Sequence, residues 1–185
     1  MHIPQALDPV ESVRTAFSSA LQSVNQFRGE TTLIIDPAQI EAVARYLRDT
    51  TGLVYNFLSD ISAVDYYDAT RGYGDYGDRP ERFAVSYHIY SMLYNRRLRL
   101  KVFVNEEDPV VPTVTTVWPA ANWLEREIYD MMGIRFAGHP DLRRILMAPD
   151  WEGHPHRRDY PLGYETPMFS FNVEEIARHK PFARE

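Results

Sequence analysis

Apolar residues recur at helical spacing over residues 9–24, as Val10, Val13, Phe17, Ala20, Leu21 and Val24. That spacing predicts an amphipathic helix. Residues 30–35, rich in Thr and Ile, read as a strand. Asp36-Pro37 then opens a second helix, because Asp satisfies free amides at a helix start and Pro suits the first helical position. Ile40, Val43, Ala44 and Leu47 form its apolar stripe, and Gly52 marks its exit. Residues 55–65 read as a strand with imperfect alternation, and residues 68–80 as a polar loop with three Gly. The clearest two-residue period follows. Phe83, Val85, Tyr87 and Ile89 alternate with Arg82, Ala84, Ser86 and His88. Leu98, Leu100, Val102 and Val104 alternate with Arg97, Arg99, Lys101 and Phe103. Two half-buried strands joined through residues 91–96 make a hairpin.

The texture changes after Asn105. Residues 106–113 are Pro-containing and turn-like, and a helix is expected over about 120–132, ended by Gly133. Residues 135–164 show no sustained period and hold Pro140, Pro149, Pro155 and Pro161. A stretch of that length without regular structure is unusual in a compact domain and is often functional. The tail, residues 165–185, carries Phe169, Phe171 and Phe182, with Asn172 and Glu175 at capping-box spacing. It is too short to bury those rings alone and is expected to order against a neighbour. Gly138-His139-Pro140 and Gly153-His154-Pro155 echo each other, but three residues make no repeat. The fold class is therefore α+β: a small, mainly antiparallel sheet with helices packed on it, then a long irregular C-terminal docking segment. Residues 1–105 form the α+β domain, 106–164 a helix with an extended Pro- and Arg-rich segment, and 165–185 a C-terminal arm.

Composition narrows the function. With 185 residues and 44% hydrophobic content, the chain is one domain with a proper core. A formal charge of −6 argues against general nucleic-acid binding. Lys101 and Lys180 are the only lysines among 20 basic residues. Arginine suits bidentate pairs at interfaces, although a GC-rich genome produces the same bias. The absence of cysteine excludes a disulfide framework, a cysteine-held iron–sulfur cluster and a cysteine nucleophile. Residues 1–14 show no secretory signal, and the longest uncharged stretch, residues 109–124, is too short and too Pro-rich to span a membrane.

The candidate chemistry lies after residue 120. Glu125 and Glu127 are two apart on a helix, so they diverge by about 200° and cannot act together as acid and base at one bond. Arg126 and Asp130 are four apart and can pair, and Leu124, Ile128 and Met131 would face the core. Such a helix is either a solvated face with one ion pair or an element whose several faces meet protein. His139, His154 and His156 lie near Asp141, Asp150 and Asp159. His154 and His156 flank Pro155, which favours extended backbone on which they diverge, and no helical His-x-x-x-His pair exists. Turn-fixing histidines fit this spacing better than a zinc site. Arg143-Arg144 and Arg157-Arg158-Asp159 have no Gly-rich turn opening a helix, so no phosphate cradle is visible. Pairing within the chain or between subunits fits them, as does a solvated charged loop. No Gly-x-Ser-x-Gly, P-loop or dinucleotide fingerprint is present.

One segment is far more specific. It reads Glu125-Arg126-Glu127-Ile128-Tyr129-Asp130-Met131-Met132, six residues, His139, three residues, Arg143, one residue, Ile145-Leu146. That pattern resembles the signature of the 30-kilodalton subunit family of respiratory complex I, the proton-pumping NADH–quinone oxidoreductase. Pro112-Thr113-Val114 leading to Trp118 and Asn122 looks like the approach to that motif. Trp151-Glu152-Gly153-His154-Pro155 and Arg158-Asp159-Tyr160-Pro161-Leu162 look like its exit. The likeness spans about residues 57–163, and His156 departs from it, since the family commonly has an apolar residue there.

The resemblance implies a non-catalytic subunit of the hydrophilic arm, packed on the large quinone-site subunit and on neighbouring arm subunits. It implies no cofactor in this chain; FMN, iron–sulfur clusters, NADH and quinone belong to the complex as a whole. The membrane is reached only through the complex, at the cytoplasmic face of the bacterial inner membrane, and nucleic acid plays no part. The residues implied to serve docking are Glu125, Arg126, Glu127, Asp130, Gly138, His139, Pro140, Arg143, Arg144, Trp151, Gly153, His154, Pro155, Arg158, Asp159, Tyr160 and Pro161. Similar subunits occur in membrane-bound hydrogenases and in ferredoxin- or deazaflavin-dependent quinone reductases. A small hydrolase built on His139, His154 and His156 is the reading from a different class, and a free-standing adaptor is a third.

Overall fold

The computed structural model describes residues 4–68 and 81–161. The C-terminal arm expected over 165–185, and the polar loop expected over 68–80 apart from its first residue, lie outside them. Asp8 starts the first helix, α1 (Pro9–Ala16), by accepting the Val10 amide at 2.9 Å. This helix ends well before residue 24. Leu21–Phe27 instead forms an edge strand, β1, antiparallel to β2 (Glu30–Ile35). Arg28 and Gly29 join them with φ of 51° and 79°. Two successive positive φ values make the turn whose twist matches paired strands. Hydrogen bonding to β2 thus overrides an apolar spacing that suited a helix, in a stretch where Ser23, Val24 and Asn25 have modest helix preference.

The rest of the domain follows expectation closely. Asp36 caps a 3₁₀ turn, Pro37–Gln39, which runs into α2 (Ile40–Asp49). Ile40, Val43, Ala44 and Leu47 are all fully buried. Strand β3 (Phe57–Asp65) carries a bulge between Leu58 and Asp60, which explains its broken alternation. β4 (Phe83–Ser91) and β5 (Arg96–Val104) form the hairpin, in register from Phe83 opposite Val104 to Ser91 opposite Arg96. β4 is more than half-buried, because Ala84 and Ser86 on its second face are covered too. The sheet order is β1-β2-β5-β4-β3; only the β2–β5 pairing is parallel, so the sheet is mixed but mainly antiparallel. Helix residues Val13, Ile40, Val43 and Leu47 join Leu33, Tyr87, Leu100 and Val102 in one core.

Beyond β5, β6 (Val110–Pro112) pairs in parallel with β7 (Arg135–Ala137), a two-stranded ladder that no pattern in the sequence announces. Three residues are too few to show a period. Between them lies α3 (Ala121–Met132), packed along β3 and closed by Gly133 at φ +75°. Residues 138–161 form neither helix nor strand, as expected. No helix among the described residues is long and apolar enough to cross a membrane.

Candidate functional site

The motif helix is not a solvated face. Glu125 and Asp130 are fully buried and Arg126 nearly so, whereas Glu127 is exposed. Ile128 and Met131 do face the core, and Leu124 packs on its margin. The expected Arg126–Asp130 pair is replaced by longer-range partners. Arg126 lies over the Trp123 ring at 5.0 Å and donates from Nε to the Arg143 carbonyl at 3.2 Å. Asp130 pairs with Arg144, Nη1 to Oδ1, at 2.8 Å. Its Oδ2 accepts three successive amides, from Ile145 (2.9 Å), Leu146 (2.7 Å) and Met147 (3.0 Å). Burial opposes the Asp130 charge, but these amides and Arg144 outweigh it and hold the carboxyl below its ordinary pKa. Arg144 continues inward, donating to the carbonyls of Trp151 (2.9 Å) and Gly153 (3.0 Å). One buried carboxylate and one arginine therefore fix the path of residues 144–153.

Residues 154–157 then cap α3. A helix leaves its last carbonyls without internal partners. Here the Asp130 carbonyl accepts from His154 Nδ1 at 2.9 Å, which requires the proton on that nitrogen. The Met131 carbonyl accepts the His156 amide at 2.9 Å, and the Met132 carbonyl accepts Arg157 Nε at 2.8 Å. Burial first, then Arg157 and Arg144, push the His154 pKa down against the carbonyl bond that favours its charge. Gly133 makes the approach feasible, since a Cβ there would lie 2.5 Å from Arg157 Nη2 and 2.6 Å from His154 Nε2. At the other end of α3, His139 Nε2 bonds the Asn122 carbonyl at 3.1 Å, and its Nδ1 accepts the Asp141 amide at 3.0 Å. The Gly-His-Pro echo thus has a shared physical role. Gly138 and Gly153 both turn at positive φ (81° and 73°), and each following histidine holds a carbonyl of α3. Pro140 is exposed, while Pro155 and Pro161 are half-buried.

A second buried network joins the far end of the segment to the sheet. Arg82, fully buried, donates Nε and Nη2 to the two oxygens of Asp65 at 2.9 and 2.8 Å. It also reaches Asp159 at 2.6 and 3.1 Å and Glu106 at 2.5 Å. Tyr67 and Phe83 rings lie 4.9 Å from its guanidinium carbon. Burial works against that charge, yet the bonds to Asp65, Asp159 and Glu106 raise its pKa above the ordinary guanidinium value. Asp65 also accepts the Arg158 amide at 2.9 Å. Arg82, Asp65 and Glu106 are not among the candidates that sequence reasoning picks out. Arg82 reads as a solvent-side residue at a strand's mouth, and its partners lie up to 77 positions away.

The remaining candidates face outward or do local work. Arg143 is exposed and, among the described residues, pairs only with Asp141, at 2.9 Å. Arg158 is exposed, and Tyr160 donates its hydroxyl to the Glu152 carbonyl at 3.4 Å. Glu125 accepts from the Thr113 hydroxyl and, at 2.7 Å, from the Val114 amide. Burial, partly offset by those bonds, pushes its pKa up to about 7. His139 Nε2 is 4.0 Å from Glu125, but His154 and His156 serve the opposite end of α3. Among the described residues no three His, Asp or Glu side chains converge in a way that could hold a metal. Glu127, Asp60 and His156 border a cavity of about 190 Å³ between β3 and α3. That is smaller than a typical small-molecule site. The arrangement holds a shape: the Thr113 hydroxyl does meet the Glu125 carboxylate, but both groups are buried.

The family model described as the respiratory-chain NADH dehydrogenase 30 Kd subunit matches residues 33–166. The C subunit of the NADH-quinone oxidoreductase of Roseiflexus sp. (strain RS-1) is 46% identical over 176 residues, 95% of each chain. Its counterpart in Geobacter sulfurreducens is 44% identical over 83% of this chain and 88% of its own. A trypsin-resistant fragment of Nqo5 superposes with a TM-score of 0.58 at 35% identity, over 73% of this chain and all of the fragment. A chain of the membrane-bound sulfane sulfur reductase, an archaeal respiratory membrane complex, shares the fold at a TM-score of 0.63 and 19% identity, over 95% of this chain and 94% of its own. The motif that locks residues 139–157 onto α3 lies wholly within the matched region, and this chain belongs to the 30 Kd subunit family of respiratory-chain NADH dehydrogenase.

Proposed function

We propose that the chain is a structural, non-catalytic subunit of the peripheral arm of a proton-translocating NADH–quinone oxidoreductase. In this reading it docks on the large quinone-site subunit at the cytoplasmic face of the bacterial membrane. The complex passes electrons from NADH or a related donor to quinone, and this chain holds no flavin, cluster or quinone. The observation that carries the reading is the inward use of the motif. Asp130, Arg144, His154 and Arg157 all hold backbone, while Trp123 (64% exposed), Leu146 (59%) and Arg143 remain outside on the segment so fixed. A rigid segment presenting an indole, a leucine and an arginine has the make-up of an interface.

The test is affinity purification of the tagged chain from detergent-solubilised membranes. The large quinone-site subunit and NADH–quinone reductase activity should co-purify, and the chain alone should be colourless. Stoichiometric zinc, iron or flavin on the isolated chain would overturn the reading. A second reading, the equivalent subunit of a membrane-bound hydrogenase or of a ferredoxin- or deazaflavin-dependent reductase, is favoured by the fold shared with the sulfane sulfur reductase chain. The electron-donor module that co-purifies separates the two.

A further inference from the structure

Among the described residues the helices pack on one face of the five-stranded sheet, and its other face is open at the end away from Ala84 and Ser86. Register places Thr32, Arg99, His88 and Asp60 in one row across β2, β5, β4 and β3 on the open face. Arg97, Tyr90 and Phe57 form the adjoining row, and Phe27 stands opposite Glu30 at the far edge. A groove of about 550 Å³ runs over this end of the face, lined by Arg28, Glu30, Asp60, His88, Arg97 and Arg99. From β1 to β3 the face is roughly 19 Å wide, four strand spacings of about 4.8 Å.

Charge sets this face apart. The chain as a whole carries −6, yet among the described residues Arg28, Arg97, Arg99 and Lys101 here meet only Glu30 and Asp60. Arg99 is tied to Glu30 at 2.5 Å, and Lys101 lies over the Tyr66 and Phe103 rings. Arg28 and Arg97 are exposed, and neither has an ion pair among the described residues. The Nε of Arg99 is buried without an acceptor among the described residues. Burial first, then the Arg99 charge, lowers the His88 pKa, against Asp60 and Glu30, which raise it. Phe27 (66% exposed) and Phe57 (49% exposed) stand at opposite edges. A cationic centre between exposed aromatic rings matches the composition of protein interfaces.

We propose that the open face of the sheet, centred on Arg97 and Arg99, seats an acidic polypeptide segment of a neighbouring subunit. Carboxylates of that segment would meet Arg97 and Arg28, and apolar side chains would lie on Phe27 and Phe57. The width favours an extended chain over a single phosphate, which two arginines would satisfy. The inference rests on the reading that the chain works inside the complex, and it is distinct from the surface bearing Trp123 and Leu146.

The experiment uses the intact complex. Benzoylphenylalanine replaces the exposed Ser59 in the groove, the purified complex is irradiated, and the cross-linked peptide is sequenced. A segment of another subunit with two or more acidic residues near the cross-link is expected. In parallel, Arg28→Glu with Arg97→Glu should lower the amount of assembled complex by about five- to tenfold, as the loss of two exposed charge pairs allows. Replacing one captured acid by Arg should restore part of it. Both arginines are exposed and make no ion pair among the described residues, so the free variant should melt like the parent. A cross-link to lipid, to a segment without acids or to this chain's own termini overturns the proposal, as does normal assembly of the double variant. In either case the chain would still be found in the complex, so the reading of its function would stand. A chain absent from the complex before any substitution defeats that reading instead.

Discussion

At the scale of single residues, two buried charges set the stability of this domain. Arg82 faces three carboxylates with no exposed surface of its own. Removing one partner of a buried ion pair costs about 3–5 kcal/mol, because the remaining charges lose their compensation. Arg82→Met should therefore lower the unfolding free energy by about that much, read from denaturant midpoints, while Arg82→Lys keeps the charge and loses the two-pronged bond to Asp65. Wild-type stability in Arg82→Met would show that the network is dispensable. Glu125 acts in the opposite sense. Its pKa is raised from 4.5 to about 7 by burial, so the folded state binds its proton more tightly than the unfolded chain. The stability this contributes is complete below about pH 4.5 and is lost as pH rises through about 7. Glu125→Gln mimics the protonated acid, with its carbonyl free for the Val114 amide. Between about pH 5 and about pH 8 the parent should lose about 1–3 kcal/mol relative to this variant. A difference that stays flat with pH would show that Glu125 keeps one protonation state throughout.

At the scale of elements, what can be read from the chain divides by length of pattern. α2, α3, β4 and β5 each carry a sustained period or a capped start, and all four appear where expected. β1 reads as the continuation of α1, because Leu21 and Val24 fit a helical spacing and only Arg28-Gly29 signals a hairpin. β6 and β7 pair across α3 from runs of three residues, which no local period can reveal. The same limit governs the site. The motif's members are legible from their fixed gaps, but their burial is not. Glu125 and Asp130 read as solvated like Glu127 until Thr113, Arg144 and the amides of 145–147 are folded against them. Arg82 is invisible for a related reason, since each of its carboxylates comes from a different part of the chain.

At the scale of the whole molecule, the arginines of residues 143–158 divide between folding and display. Arg144 and Arg157 spend their guanidinium groups on carbonyls and Asp130 within the domain. Arg143 is held by its backbone, where Arg126 grips the carbonyl, while its side chain is 74% exposed and, among the described residues, bonded only to Asp141. An exposed pair of this kind is worth about 0–1 kcal/mol. Arg143→Glu should therefore leave the melting of the free chain nearly unchanged. Any larger effect has to arise where another protein meets this segment. Under the proposed docking on the large quinone-site subunit, the variant should reduce the amount of assembled complex in membranes. Quinone reductase activity should fall in proportion, with turnover per assembled complex unchanged. Native gels and activity measured on the same membranes separate the two quantities. A fully assembled complex that contains Arg143→Glu and no longer turns over would contradict the structural role, because it would assign this exposed guanidinium a direct part in electron or proton transfer.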